Sequence, residues 1–201
     1  MNTLISGFRR NLVIVLVILF LLTQALIFYP ALANDPGQPE WWMVFPNLLL
    51  ISIPLTLLYG SLYMVVMAWR EHALNGQVEP RLAKAIHCAP RIAAIVITGF
   101  ISLFSLDVFE TQAPPLELLA GFLIHNIPSL ALIVLLVFAW KRPAVGFVAF
   151  LVAGMLFAVF FVRDFYALPN LLLFVLPLLL IAALFYVDWK WLGAPSALAA
   201  Q

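Results

Sequence analysis

The sequence predicts an all-α membrane protein, a polytopic bundle of six transmembrane helices. Hydrophobic residues make up 66% of its 201 residues and charged residues only 9%, whereas soluble domains carry about one quarter charged residues. Several apolar runs approach or exceed the ~20 residues that a helix needs to cross the hydrocarbon core. The alternating pattern of a membrane barrel is absent. The composition therefore excludes an ordinary water-soluble globule.

Six apolar segments account for the predicted helices. Because a backbone in hydrocarbon must satisfy its own hydrogen bonds, each segment is expected to be helical. Most connections are short, so sequential helices are expected to be antiparallel neighbours. The segments are 11–30, 43–69, 91–109, 116–140, 143–163 and 168–188.

The first segment has a second interpretation. Arg9 and Arg10 precede the apolar run and Ala31-Leu32-Ala33 follows it, as in a signal peptide with a small-residue cleavage site. The run of about nineteen residues exceeds the roughly 7–15 of a signal-peptide core, which favours a retained helix. Cleavage of residues 1–33 would leave five helices and would not change the orientation of the others.

Residues 71–90 are expected to form a cytoplasmic loop. Asn75-Gly76 is a turn signal, and the stretch after Pro80 places Arg81 and Lys84 on one face of a short interfacial helix. The predicted organisation is a two-helix extension (1–70), this loop (71–90), a four-helix membrane domain (91–192) and a disordered tail (193–201).

Lysine and arginine are unevenly distributed between the two sides of the predicted bundle. With the N-terminus inside, Arg163 is the one cation of the 10 on the outer side. This positive-inside bias predicts both termini in the cytoplasm, with the bilayer of the bacterial cytoplasmic (inner) membrane as surroundings. A net charge of +1 without a basic tract argues against a nucleic-acid partner. The inner-side cations are Arg9, Arg10, Arg70, Arg81, Lys84, Arg91, Lys141, Arg142 and Lys190.

The stretch GFLIHNIPSL, residues 121–130, is unusually polar for an apolar run. At about 100° per residue, Glu117, His125 and Ser129 fall within about a third of the helix circumference, whereas Asn126 points away. Pro128 lacks an amide and clashes with the preceding turn, so the helix is expected to bend near His125. These residues are the candidate polar cluster inside the membrane.

Asp107 is the candidate partner of His125. Counted from the turn between their helices, the depths of the two residues differ by ~5 Å, about one helical turn. Asp107 nevertheless lies nearly opposite the hydroxyl face of its own helix. Two alternatives stay open: a pair or water bridge that responds to protons, or separate structural roles. The hydroxyl face carries Thr98, Ser102 and Ser105.

Small residues in the fifth segment predict close helix packing. Gly154-x-x-x-Ala158 is a pair of small residues four apart, and Gly146 precedes it. Such a pattern lets a neighbouring helix approach closely. It favours internal packing over dimerisation, because the motif is common by chance.

No catalytic or cofactor motif is present in the sequence. It contains no HExxH, GxSxG, P-loop or GxGxxG pattern. Cys88 is the single cysteine and has no partner spacing for a metal site. The sequence therefore predicts no enzyme, no metal and no cofactor.

Three stretches resemble a family of uncharacterised small bacterial membrane proteins. They are PRIAAIVITGFISLFSLDVFE (90–110), GFLIHNIPSLALIVLLVFAWKRPAVG (121–146) and LPLLLIAALFYVDW in the last helix. The resemblance implies a four-helix domain over about residues 90–192 and brings no enzyme class, ligand or cofactor. The leading expectation is a non-enzymatic accessory or structural protein, with a membrane-protein partner, a second copy or lipid as its partner. The alternative is a small transporter or proton-responsive conductance that uses His125, Asp107 and Ser129.

Overall fold

The computed structural model describes residues 2–33, 41–161 and 167–192, and within these ranges it contains helices and no strand. The predicted all-α class is confirmed. The helices are α1 (Asn2–Ala33), α2 (Trp41–Asn75), α3 (Pro80–Leu103), α4 (Pro115–His125), α5 (Ile127–Ala139), α6 (Pro143–Phe161), α7 (Ala167–Asn170) and α8 (Leu176–Val187). A 3-10 helix at Phe104–Glu110 follows α3, and π turns at Leu171–Val175 and Asp188–Leu192 flank α8.

Within the described ranges, five helical segments are long and apolar enough to cross a membrane, or six when α4 and α5 are counted as one bent span. This agrees with the six predicted spans and their segment positions. Arg163 and the tail 193–201 lie outside the described residues. The interpretation of residues 1–33 as a cleaved signal stays a prediction, as does the division into domains.

The connection between α2 and α3 is much shorter than predicted. The predicted turn is present, with Gly76 at φ 70°, but α2 reaches Asn75 and α3 begins at Pro80. The stretch expected to form a separate interfacial helix is instead the first part of α3. The helix continues through Pro90 because that residue is buried on the same face as Ile86 and the apolar residues that follow. Tertiary packing thus outweighs the lost amide hydrogen bond.

The fourth predicted span is broken at Asn126. The axes of α4 and α5 differ by 45°, which is the bend predicted from Pro128. Pro128 lacks an amide, and its ring conflicts with a straight path past Ile124. The chain remains hydrogen-bonded across the break, since the Asn126 amide donates to Phe122 O at 3.1 Å and Asn126 O accepts from the Leu130 amide at 2.9 Å.

The core of the bundle is built around α8. This helix packs against α2, α3 and α6, and α5 joins the same core through α3 and α6. Apolar side chains in lipid gain no hydrophobic driving force from contacting one another, so close packing holds these helices together. The buried core includes Ala94, Ile97 and Phe100 of α3, Leu132 and Leu136 of α5, Phe150 of α6, and Leu178, Ile181 and Phe185 of α8.

Helix α1 is joined mainly to α2 and leaves most of its surface exposed. Two side-chain hydrogen bonds connect the pair: Thr23 Oγ1 lies 2.5 Å from Tyr59 Oη, and Gln24 Nε2 donates to Ser52 Oγ at 2.5 Å. From Val13 to Leu26 the exposed residues of α1 are aliphatic. Such a surface fits contact with lipid chains.

Helix α6 approaches α8 most closely at two glycines, while Ala158 is half-buried farther along. A Cβ atom on Gly146 would lie 2.7 Å from the Phe185 ring, and one on Gly154 would lie 2.7 Å from Leu179 Cδ2. The Phe185 ring is fully buried and stacks on Phe150 with 5.7 Å between centroids. The aromatic ring has no room to move, whereas the leucine methyl group is the end of a flexible side chain.

We expect Gly146→Ala to destabilise the bundle by about 1–3 kcal/mol, the usual effect of overpacking. Unfolding of the purified protein in mixed detergent micelles measures the change. Gly99→Ala is the matched control, because a Cβ atom there meets nothing within 4 Å. Equal stability of the two variants would contradict the close α6–α8 contact.

Candidate functional site

A polar cluster occupies the break between α4 and α5. The Ser102 hydroxyl donates to Asn126 Oδ1 at 2.6 Å, and Asn126 Nδ2 donates to Ser105 Oγ at 2.6 Å. Asn126 Nδ2 also donates to Phe122 O at 3.1 Å, and Ser105 Oγ donates to Ser102 O at 2.6 Å. Asn126 is 7% exposed. The amide therefore uses its oxygen and both N–H groups inside the protein, which a buried amide requires.

Two further buried hydroxyl groups lie one turn from this cluster. Thr98 precedes Ser102 by one turn on α3, and Ser129 follows Asn126 by one turn on α5. Neither Thr98 Oγ1 nor Ser129 Oγ has a hydrogen-bond partner among the described residues. A buried polar atom without a partner is uncommon and destabilising. Near the break, these two buried hydroxyls are left without a partner by the described residues.

Of the two alternatives for Asp107 and His125, the direct pair is not formed among the described residues. Both side chains are exposed, and His125 Nδ1 lies 2.9 Å from Gly121 O of its own helix. Asp107 lies in the 3-10 helix, and Glu117 is exposed in the first turn of α4. Of the predicted cluster, Asn126 and Ser129 face inward and His125 faces outward.

The prediction of which side chains face the interior was wrong, because it took His125 to mark the inward face. The inward face of α5 is set by a run of buried residues that begins at Asn126 and Ser129 and continues with Leu132 and Leu136. Apart from Ser129, α5 is apolar all round, so no apolar stripe in its sequence marks this inward face. The facing of Asn126 opposite the hydroxyls of α3 therefore depends on helix packing.

A second cluster, which the sequence analysis missed, lies where α3, α8 and the α5–α6 turn meet. The Asp188 carboxylate is 3% exposed and contacts Arg91 Nη1 at 3.1 Å and His87 Nδ1 at 3.0 Å. Arg91, itself 8% exposed, also donates from Nε to Trp140 O at 3.1 Å and from Nη1 to His87 O. A paired, hydrogen-bonded arginine and carboxylate is the form in which such charges are found buried.

A signal for this cluster exists in the sequence. His87 and Arg91 are four residues apart and therefore lie on one helix face, and Asp188 ends the helix that returns to the same side. The sequence analysis interpreted His87 as a loop residue and counted Arg91 only as a cation. The error follows from the expected 71–90 loop, which the structure replaces with helix.

The N-terminal end of α1 is attached to the α2–α3 turn by charge. Arg9 Nη2 contacts Glu71 Oε1 and Glu79 Oε2, each at 2.6 Å, and the Glu79 amide donates to Glu71 Oε2 at 2.9 Å. Nearby, the Arg70 guanidinium lies 3.7 Å from the centroid of the Phe8 ring. These contacts bring the start of α1, the end of α2 and the start of α3 to the same end of the bundle.

This end, here called the basic end, carries every lysine and arginine that the described residues contain. Its three acids, Glu71, Glu79 and Asp188, are all paired with arginines. The described residues of the opposite end carry Asp107, Glu110 and Glu117 and no cation. Seven cations of the basic end form no ion pair with a described residue; they are Arg10, Arg70, Arg81, Lys84, Lys141, Arg142 and Lys190.

No group of three or more histidine, cysteine, aspartate or glutamate residues in the described ranges has a geometry that would hold a metal ion. The acids Glu71, Glu79 and Asp188 are instead paired with arginines. The polar residues of the described clusters therefore form hydrogen bonds and ion pairs between helices.

The long apolar helices of the described residues fit a multi-pass membrane protein. The model of the family described as Domain of unknown function (DUF7670) matches residues 79–197, and the chain belongs to this family. The match begins next to α3 and contains both clusters, whereas α1 and α2 precede it. The predicted resemblance to an uncharacterised family is confirmed. No curated protein and no solved structure matches the chain.

We expect Asp188→Asn to destabilise the protein by about 3 kcal/mol, because it leaves the buried Arg91 charge without its counter-charge. Glu79→Gln is the matched control, since it removes an exposed carboxylate whose arginine keeps Glu71, and the expected loss is at most about 1 kcal/mol. Both values come from unfolding in mixed micelles. A loss for Asp188→Asn no larger than that of the control would contradict a structural role for the buried pair.

Proposed function

We propose that this protein is a non-enzymatic membrane component that associates with other membrane proteins or with lipid. The observation that carries the proposal is the network of Asn126 with Ser102 and Ser105. It lies midway along the broken span, where a transport path needs polar groups that face a passage. Here the amide and both hydroxyls bond to one another, so they support helix packing. The unpaired cations Lys141 and Arg142 of the basic end are instead exposed to the surroundings.

A second candidate function is transport or a proton-responsive conductance, and the break itself favours it. Half-helices that meet at mid-membrane form binding sites in many transporters. The 45° bend and the unpartnered hydroxyls of Thr98 and Ser129 have that character. His125 and Asp107 would be the ionisable groups of such a path. The two side chains are not in contact, so the path would require a second conformation.

Proton flux in proteoliposomes, together with crosslinking in native membranes, distinguishes the two functions. The accessory function predicts no flux above empty vesicles and the same crosslinked partner for wild type and His125→Ala. It predicts a loss of stability and of crosslinked partner for Asn126→Ala, because this variant leaves buried hydroxyls unsatisfied. Wild-type flux that disappears in His125→Ala would contradict the accessory function and support transport.

We also propose that the protein lies in the bacterial cytoplasmic membrane with both termini in the cytoplasm. The concentration of lysine and arginine at the basic end, where α1 begins and the π turn after α8 lies, supports this orientation. Counting α4 and α5 as one span gives the family range four spans, with α1 and α2 as an extension. A homo-oligomer or another membrane protein is the partner proposed for the exposed surfaces of this assembly.

The orientation predicts which cysteines a membrane-impermeant maleimide can reach. In a Cys88→Ala background, Gln77→Cys on the α2–α3 turn should be labelled only after the inner membrane is permeabilised. Gln112→Cys, at the opposite end, should be labelled in spheroplasts with the membrane intact. Both positions are exposed. The reverse labelling pattern would contradict the proposed orientation.

A further inference from the structure

An apolar cleft runs along α5 and ends beside two unpaired cations. Its volume is about 800 Å³, within the range of roughly 300–1,000 Å³ that ligand pockets occupy. Ile133, Leu136 and Val137 line one side, and seven residues separate Ile133 from Trp140, about 10 Å along the helix. Phe138 and Val145 complete the apolar walls. The cleft therefore follows the direction in which a lipid chain lies in the bilayer.

The open end of the cleft lies at the α5–α6 turn. Lys141 and Arg142 line this end beside Trp140, a residue type that concentrates at the level of lipid headgroups. Both cations are exposed, and neither forms an ion pair with a described residue. An arginine offers a planar pair of donors to a phosphate, and a lysine adds a mobile charge. The cleft thus has apolar walls along α5 and side chains suited to binding a phosphate at one end.

The turn that carries these cations is held in place by the buried cluster. Arg91 Nε donates to Trp140 O at 3.1 Å, and Asp188 in turn contacts Arg91. Within the turn, the Arg142 amide donates to Ala139 O at 3.1 Å. A preorganised backbone reduces the ordering that a ligand would otherwise require.

A neighbouring cleft shows what distinguishes this site. It has a volume of about 360 Å³ and is lined by His87 and Asp188 together with Trp189 and Leu192. The carboxylate in its wall would repel a phosphate. The α5 cleft has no acid in its lining and carries both cations at one end. The charge pattern therefore selects the α5 cleft for an anionic ligand.

We propose that the α5 cleft binds one anionic phospholipid, with an acyl chain along Ile133 and Val137 and the phosphate on Lys141 and Arg142. Basic sites between membrane helices on the cytoplasmic side commonly recognise anionic headgroups. The inference deepens the proposed function, since it names lipid as a ligand of the family domain. Its test measures lipid binding to the purified protein, so it can fail while the accessory function and the orientation stand.

Native mass spectrometry of the protein in detergent, with equal amounts of phosphatidylglycerol and phosphatidylcholine, tests the proposal. Wild type should retain one phosphatidylglycerol in preference to phosphatidylcholine. Lys141→Gln/Arg142→Gln should weaken phosphatidylglycerol binding by roughly tenfold or more, since each cation near a headgroup contributes to the attraction. Arg81→Gln/Lys84→Gln is the matched control, because it removes the same charge from exposed positions of the same end, outside the cleft.

A second variant tests the apolar part of the cleft without changing charge. Ile133 is 48% exposed, so the Ile133→Trp variant should fold normally. The larger side chain should fill the part of the α5 cleft proposed to hold the acyl chain, and phosphatidylglycerol binding should fall. Three results would each overturn the proposal. The first is equal retention of the two lipids by wild type. The second is an equal loss of phosphatidylglycerol binding in the two charge variants, which would show that only diffuse surface charge acts. The third is unchanged binding in Ile133→Trp.

Discussion

Hydrocarbon offers no water to complete an unpaired hydrogen bond, and this constraint governs how the bundle uses its few polar residues. Two clusters meet it, each where a helix departs from regular geometry. Asn126 sits at the break between α4 and α5 and bonds to hydroxyls from the α3 side. Asp188 begins the π turn after α8 and contacts Arg91 of α3. The first cluster joins the end of α3 to the next span, and the second joins α3 to the last helix, so both contribute to the packing of the family domain.

The pairing of acids at the basic end has a consequence for the surface. Glu71, Glu79 and Asp188 are engaged with arginines that connect helices, so no described acid offsets the remaining cations. Those cations are left to interact with the surroundings, where anionic headgroups lie within reach. This arrangement has two consequences. Internal ion pairs connect the helices, and the unpaired charges support the proposed orientation and the proposed lipid site. At the opposite end, the acids are exposed, and the described residues there form no ion pair between helices.

The candidate site was predictable in part. Pro128 indicated the bend, because the loss of an amide and the clash of the ring act locally. The facing of the residues next to it was not predictable from His125 alone, since a bend changes the relation between residue number and direction. Arg91 was counted correctly at the basic end, but its partner Asp188 was missed. That pairing depends on how α8 returns beside α3, which is a property of the tertiary structure.

The sequence by itself determined that the helices suit a lipid environment. It also determined the positions of the long apolar segments and the concentration of cations on one side. These properties follow from the composition and periodicity of each segment, and neither depends on the neighbouring segments. Only the tertiary structure decided that α8 lies at the centre, that Asn126 turns inward while His125 turns outward, and that Arg91 meets Asp188. Each of these depends on contacts between helices that have similar apolar surfaces, and a uniform apolar surface does not specify its partner. Specificity comes from a few polar groups and close glycine contacts, whose partners become visible only once the helices are placed side by side.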